Sequence, residues 1–251
     1  MSEDLGFRFT WYGHSCVHIE TGGGLSILID PWFGNPTSPA GHESIERCDV
    51  MLVTHGHHDH LGSMPGEVAD ADALKIARRT APVWPCVHEL SLWLASFADL
   101  GAEVIGMNKG GSVDARGVRI TMVHADHSAG DWLEAAQAPL YLGEPAGFVL
   151  ELENGRRVYH AGDTALFGDM RLIGELHRPE VAFLPIGGHY TMDPAAAARA
   201  VELLGVTTVV PIHYGTFPVL VGTPDQLRDE LEGLGLGDVR VLAPERGAIV
   251  G

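Results

Sequence analysis
Apolar residues in this chain fall in short runs that end on glycine, proline or a polar residue, and that polar residue is repeatedly a histidine or an aspartate. Residues 7–11, 16–20 and 25–30 are three such runs. The turns between them include Gly22-Gly23-Gly24, and together they predict an antiparallel meander. Residues 50–54 are apolar and partly β-branched, as expected of a buried strand. Helical patterning follows over 67–79 and 89–100, the second stopped by Gly101, with a short strand at 82–84 between them. Leu90, Leu92, Trp93, Leu94 and Phe97 read as core and surface-capping residues of that second helix. Residues 118–128 form a strand of alternating faces that ends in two histidines and an aspartate, and Asn154-Gly155 marks a hairpin. A buried strand at 181–185 leads to a helix over 195–204, with Asp193 as its cap, Pro194 at its first position and Gly205 at its end. Residues 206–212 make a last buried strand before His213. Strands alternating with helices indicate α/β layers.

The chemistry sits where the apolar runs stop. His55-Gly56-His57-His58-Asp59-His60 follows the run at 50–54 and has the pattern HxHxDH. His55 and His57, two apart, point to one side in extended chain and can share an ion. Asp59 and His60 leave the following turn at another angle and suit a second ion. His124 and His127 are three apart and fall on opposite faces; His127 is the expected third ligand of the His55/His57 ion, and His124 takes a buried supporting role. Asp163 follows Gly162 at a strand end, where its two oxygens can bridge two ions. Asp30 ends a buried run and is halted by Pro31. A lone buried carboxylate is costly, so Asp30 is expected to accept a hydrogen bond from a metal-bound histidine. His14, in the turn Gly13-His14-Ser15, is a candidate to face the same site. Imidazoles with single carboxylates suit zinc, and also iron or manganese, better than calcium or magnesium.

At 251 residues and 45% hydrophobic content the chain can bury a large core, and no linker divides it, so residues 1–251 are expected to form one domain. Lys+Arg number 16 against 33 Asp+Glu, a net charge of -17. Two divalent ions leave it strongly acidic, which opposes binding to nucleic-acid backbones and anionic membranes. The N-terminus has no apolar signal core and no run is long enough to span a bilayer, so a cytoplasmic location is expected. Cys16, Cys48 and Cys86, odd in number and without CxxC spacing, read as reduced, buried thiols.

HxHxDH after a strand, with single His, Asp and His residues at later strand ends, resembles the metallo-β-lactamase fold superfamily. Gly13-His14-Ser15, Thr54-His55-Gly56-His57 and the stretches 159–170, 184–194 and 211–218 extend the likeness over nearly the whole chain, to a small prokaryotic family described only as metal-dependent hydrolases. That family is similar to the branch containing the L-ascorbate-6-phosphate lactonase. The resemblance implies a four-layer αββα sandwich with a dinuclear centre along one edge of its sheets. It implies His55, His57 and His127 for the first ion, Asp59, His60 and His213 for the second, and Asp163 between them. His58 occupies a position that the pattern leaves free, and is expected to point away.

Two ions roughly 3.5–4 Å apart can hold a bridging hydroxide that attacks a carbonyl carbon or phosphorus. A hydrolase of a small ester, lactone, amide or phosphoester is the leading expectation, lactonase-like by resemblance. Asp59 is expected to join the chemistry, and His189 and Tyr190, in a Gly-Gly loop, are candidates to assist the leaving group. The long connection at 127–147, with Trp132, Leu133, Leu140 and Tyr141, is expected to form a lid or wall. A phosphodiesterase or nuclease of the same fold is the main alternative, disfavoured by the acidic balance. A diiron redox protein is less favoured because His57 stands where such relatives carry Glu, and a non-catalytic metal-binding protein is the last rival. Self-association is left open.

Overall fold
A computed structural model describes residues 4–133 and 137–251. In chain order the strands and helices are β1 (Phe7–Trp11), β2 (Val17–Thr21), β3 (Ser26–Ile29), β4 (Val50–Leu52), α1 (His58–Leu61), α2 (Asp72–Thr80), β5 (Val83–Val87), α3 (His88–Leu94) and β6 (Glu103–Met107). They continue with β7 (Ser112–Ala115), β8 (Val118–His124), β9 (Asp131–Leu133), β10 (Ala138–Leu140), β11 (Ala146–Glu151), β12 (Arg157–His160), α4 (Met170–His177), β13 (Val181–Pro185) and α5 (Pro194–Leu204). The last are β14 (Thr208–Ile212), α6 (Pro224–Gly233), β15 (Arg240–Val241) and β16 (Ile249–Val250).

Two mixed sheets result, in the orders β16-β1-β2-β3-β4-β5-β6 and β15-β14-β13-β12-β11-β8-β7. The expected meander is β1–β3, antiparallel throughout, after which β3, β4, β5 and β6 pair in parallel. In the second sheet β8, β11 and β12 alternate and β12 to β15 run parallel. Side-chain alternation assigns the layers. Phe148, Leu150, Val158, Phe183 and Val210 join the core between the sheets, whereas Val149, Tyr159, Ala182, Leu184 and Val209 join a separate cluster under α4, α5 and α6. Phe9 and Phe183 meet edge to face across the inter-sheet core, centroids 5.2 Å apart. Helices α2 and α3 cover the first sheet through Leu74, Ile76, Leu90 and Leu94. The four layers are those of the αββα expectation. Cys16, Cys48 and Cys86 are free and buried.

Two helices differ from their predicted spans. The pattern at 67–79 breaks at Ala71, which is extended between a 3-10 turn (Val68–Asp70) and α2. That extension lets the Asp72 carboxylate accept the backbone N–H groups of Phe33 and Gly34 while Asp72 N donates to Gly62 O. The second helix ends at Leu94, and Ser96 and Phe97 close tighter turns onto Trp93 and Leu94 carbonyls. Among the described residues, no helix is long and apolar enough to cross a membrane.

Candidate metal centre
The carboxyl ends of β3, β4, β8, β12 and β14 lie along one edge of the two sheets, and each is followed by a residue expected to serve the site: Asp30, His55, His127, Asp163 and His213. Three sets of donor atoms there lie within 4.8 Å of one another: His55, His57 and His127; His14, Asp59, His60 and His213; and His55, His60 and Asp163. All seven residues expected as ligands fall in these sets, and His14 joins the second. Asp163 Oδ2 is the common neighbour, 3.0 Å from His213 Nε2, 3.3 Å from His60 Nε2 and 3.6 Å from His127 Nε2.

Whether such residues fit cations is answered by what their atoms lack. Asp59 Oδ1, Asp163 Oδ1, His60 Nε2 and His213 Nδ1 are buried and have no hydrogen-bond partner. Buried polar atoms are nearly always satisfied, so a cluster of unsatisfied acceptors around two carboxylates is what a bound cation would complete. Imidazole with carboxylate is also a donor set for a transition metal.

Surrounding contacts hold the ligands in place. Asp30 Oδ1 accepts the Thr54 N–H at 2.7 Å, and Oδ2 accepts the Thr54 hydroxyl and His60 Nδ1–H, both at 2.8 Å. With Nδ1 carrying the proton, the lone pair of His60 is on Nε2, toward Asp163. The same Thr54 hydroxyl lies 3.0 Å from His55 Nδ1, leaving His55 Nε2 2.9 Å from His57 Nδ1. Gly162 sits before Asp163 at φ 63°, and a Cβ there would lie 2.7 Å from that of Thr54, so glycine lets the two strand ends meet. His160 Nδ1 accepts the Gly162 N–H, and its Nε2 lies 3.3 Å from Ser15 O, joining this turn to the one that carries His14. His14, Asp30 and His213 hold left-handed backbone at φ 50°, 49° and 53°, strain of the kind that clusters at functional sites.

Electrostatics follow from burial and crowding. Burial, then the neighbouring His213, pushes His14 down to about 4, and burial with His60 does the same to His57. Burial raises the carboxyl groups of Asp59 and Asp163, but His14 and His60 beside the first, and His213 and His60 beside the second, hold both well below the usual carboxylate range. The carboxylates are therefore ionised and His14 and His57 neutral, whereas Asp163 and Asp30 push His60 up, so a cation at His60 Nε2 would displace a proton there.

A cavity of about 670 Å³ opens over the cluster, lined in part by His14, His57, Asp59, His127, Asp163 and His213. Four expectations change here. His124 is exposed at the end of β8, edge-on to Phe167, because its face of the strand turns outward; it has no buried supporting role. His189 is exposed beside Tyr190 and does not line the cavity, whereas Tyr190 does. His58, expected to point away from the ions, belongs to no donor set but does line the cavity wall. The 127–147 segment contributes Ser128, but Trp132 and Tyr141 are exposed and off the cavity, and its residues 134–136 lie outside the described residues. Buried Leu142 anchors that segment against Gly56, where a Cβ would come within 2.4 Å of the leucine's. Thr54, Thr216, Phe217, Pro218 and Val219 received no role from the sequence, although Thr54 and residues 211–218 lie in stretches that carry the resemblance; their signal was position beside a ligand.

Comparison with known proteins agrees with this geometry. The model of the Beta-lactamase superfamily domain matches residues 26–214. A UPF0173 metal-dependent hydrolase of Koribacter versatilis is 44% identical over 228 residues, covering 90% of this chain and 92% of its own. One from Archaeoglobus fulgidus is 43% identical and covers 96% of each chain. Among solved structures, Igni18, a metallo hydrolase from the hyperthermophilic archaeon Ignicoccus hospitalis, has a TM-score of 0.82 at 38% identity and covers 97% of each chain. With its strand-end histidines and aspartates gathered at one sheet edge, the chain belongs to the β-lactamase superfamily, in the family of UPF0173 metal-dependent hydrolases.

Proposed function
We propose that the protein holds two divalent ions, zinc foremost with manganese or iron(II) as the alternatives, and hydrolyses a small ester or lactone. The observation that carries this reading is the placement of Asp163 Oδ2 within 3.6 Å of His127, His60 and His213 nitrogens, between the two ligand sets. His55, His57 and His127 would hold one ion and Asp59, His60 and His213 the other, with Asp163 within reach of both. When bound, such ions supply Lewis acidity, activating water near neutral pH and polarising the scissile carbonyl.

The chain's own residues do the rest. Asp30 and Thr54 fix the proton of His60 on Nδ1, and His14 holds one Asp59 oxygen, so that the ligands are oriented before substrate arrives. Asp59, lining the cavity with Oδ1 unpartnered, would offer that oxygen to the second ion while His14 holds Oδ2. The Tyr190 phenol, also in the lining, donates to the leaving group. A net charge of -17 disfavours a polymeric nucleic-acid substrate and an anionic membrane surface. The test is elemental analysis of the purified protein alongside lactone and ester hydrolysis. About two ions per chain, with turnover lost on chelation and in Asp163→Asn, is the expected result. Redox-active iron with oxygen uptake and no hydrolysis would transfer the protein to the diiron reading.

A further inference from the structure
The cavity over the ligand cluster has two unlike sides. One is the histidine and aspartate floor; the other is built from Tyr190, Phe217, Pro218 and Val219. The loop between β14 and α6 that carries the last three is tied down before any ligand binds. Leu220 is buried under it and donates to Phe217 O at 3.0 Å, Gly215 N donates to Leu220 O at 3.1 Å, and Gly222 N reaches Gly187 O at 3.3 Å. Phe217 packs on Trp32 and His14, with centroids 6.0 and 5.9 Å away. Tyr190 remains 59% and Val219 42% exposed, apolar area at a cavity mouth that a ligand would cover.

Cationic side chains are directed elsewhere. Among the described residues, no lysine or arginine lines the cavity. Arg246 lies over the Trp11 ring and reaches Tyr214 O, and Lys109, which lines a neighbouring depression, is paired with Glu144 at 2.8 Å. An anionic group carried away from the scissile bond would lose water here without gaining a counter-charge, whereas an alkyl or aryl group would gain from covering the wall.

Resting on the hydrolase reading, we infer that the part of the substrate remote from the scissile bond is uncharged and apolar, an alkyl or aryl group seated against Phe217, Pro218 and Val219, with the Tyr190 phenol toward the scissile end. Substrates that bear a distant phosphate or carboxylate are disfavoured.

Two hydroxamates of equal reach test this by calorimetry on protein whose zinc content has been measured: hexanohydroxamic acid, and adipic monohydroxamic acid, which ends in a carboxylate. Both offer the same metal-binding head. The methyl-ended compound is expected to bind about ten-fold tighter or more, and Val219→Lys, at an exposed position, is expected to narrow or reverse the ratio. Equal affinity, tighter binding of the carboxylate, or no binding of either compound to zinc-loaded protein overturns the inference, as does failure to take up zinc. The expected preference accompanied by no turnover of any ester or lactone would leave the pocket assignment standing and remove the hydrolase reading instead.

Discussion

His14 Nε2 lies 3.1 Å from Asp59 Oδ2, and the other nitrogen of the same ring lies 3.1 Å from Thr216 Oγ1. One buried imidazole thus links the first turn of the chain, the HxHxDH turn and the loop after β14. Its carbonyl completes the junction by accepting the His213 and Trp11 N–H groups. A neutral His14 has one ring proton; placed on Nε2 it is donated to Asp59, and Nδ1 accepts from the Thr216 hydroxyl. Asp59 Oδ1 is then left for an ion.

On the proposed two-ion site, replacing His14 with Ala is expected to weaken the ion at Asp59 by 10–100-fold while the ion at His55, His57 and His127 is held nearly as before. Stepwise competition with a chromophoric chelator separates the two affinities. Thr216→Val should move the same ion in the same direction by less. Equal weakening of both ions would mean that His14 acts on the fold and not on Asp59.

Asp30 is fully buried and accepts three hydrogen bonds from Thr54 and His60. Asp30→Ala leaves those donors without acceptors and is expected to cost about 3–5 kcal/mol in urea unfolding of the metal-free protein. Asp30→Asn retains an acceptor and tolerates the φ of 49°, so it should recover part of the loss. A cost below about 1 kcal/mol for the alanine variant would contradict this account of the strand end.

Acid should destabilise the metal-free protein in a defined window. His14 is held down to about 4 in the fold, mainly by burial, against about 6.5 when unfolded. Between those values the unfolded chain binds a proton that the folded chain refuses, so stability falls as pH drops from about 6.5 to 4, by about 3 kcal/mol at most from this group, and levels off below. His57 acts in the same direction. His60, despite its burial, is pushed up by Asp163 and Asp30, so its stabilising contribution is complete below pH 6.5 and is lost only as pH rises above it, which leaves the slope below unchanged. Urea midpoints at pH 7, 5.5 and 4.5 should decline in that order; a flat or rising series would refute the assignment.

Gly187 meets the ligand loop from behind: a Cβ there would lie 2.1 Å from His213 O and 3.1 Å from Leu220 Cβ. Gly187→Ala forces a main-chain shift at His213 and is expected to cost about 1–3 kcal/mol of stability together with zinc affinity. Unfolding with and without zinc reads both quantities, and an alanine variant with wild-type values in each would show that the loop yields freely.

The residues expected as ligands fall within the three donor sets, and they could be picked out because strand-end position is a local property. A buried apolar run predicts a strand, the residue after it must leave the core, and a histidine or aspartate there has few purposes but chemistry. His55, His57, Asp163 and His213 were legible on that ground. The same reasoning misjudged His124, because alternation says that two residues differ in face without saying which face is turned inward. It misjudged His189 too, since a loop residue's direction depends on a backbone path that no periodicity records; here φ is 60° and the ring is exposed.

The sequence by itself determined the α/β layering, the meander and the identity of the strand-end donors, since period, turn residues and donor chemistry act over a few neighbouring residues. Only the tertiary structure decided which donors meet, because those distances are set by how two sheets pack. The His14–Thr216 contact spans 202 positions of chain and the His60–Asp30 contact spans 30, and neither separation leaves a mark in local composition. The apolar wall at Phe217, Pro218 and Val219 belongs with them: as sequence it is an ordinary loop, and it becomes one side of a cavity when β14 delivers it beside Trp32 and His14.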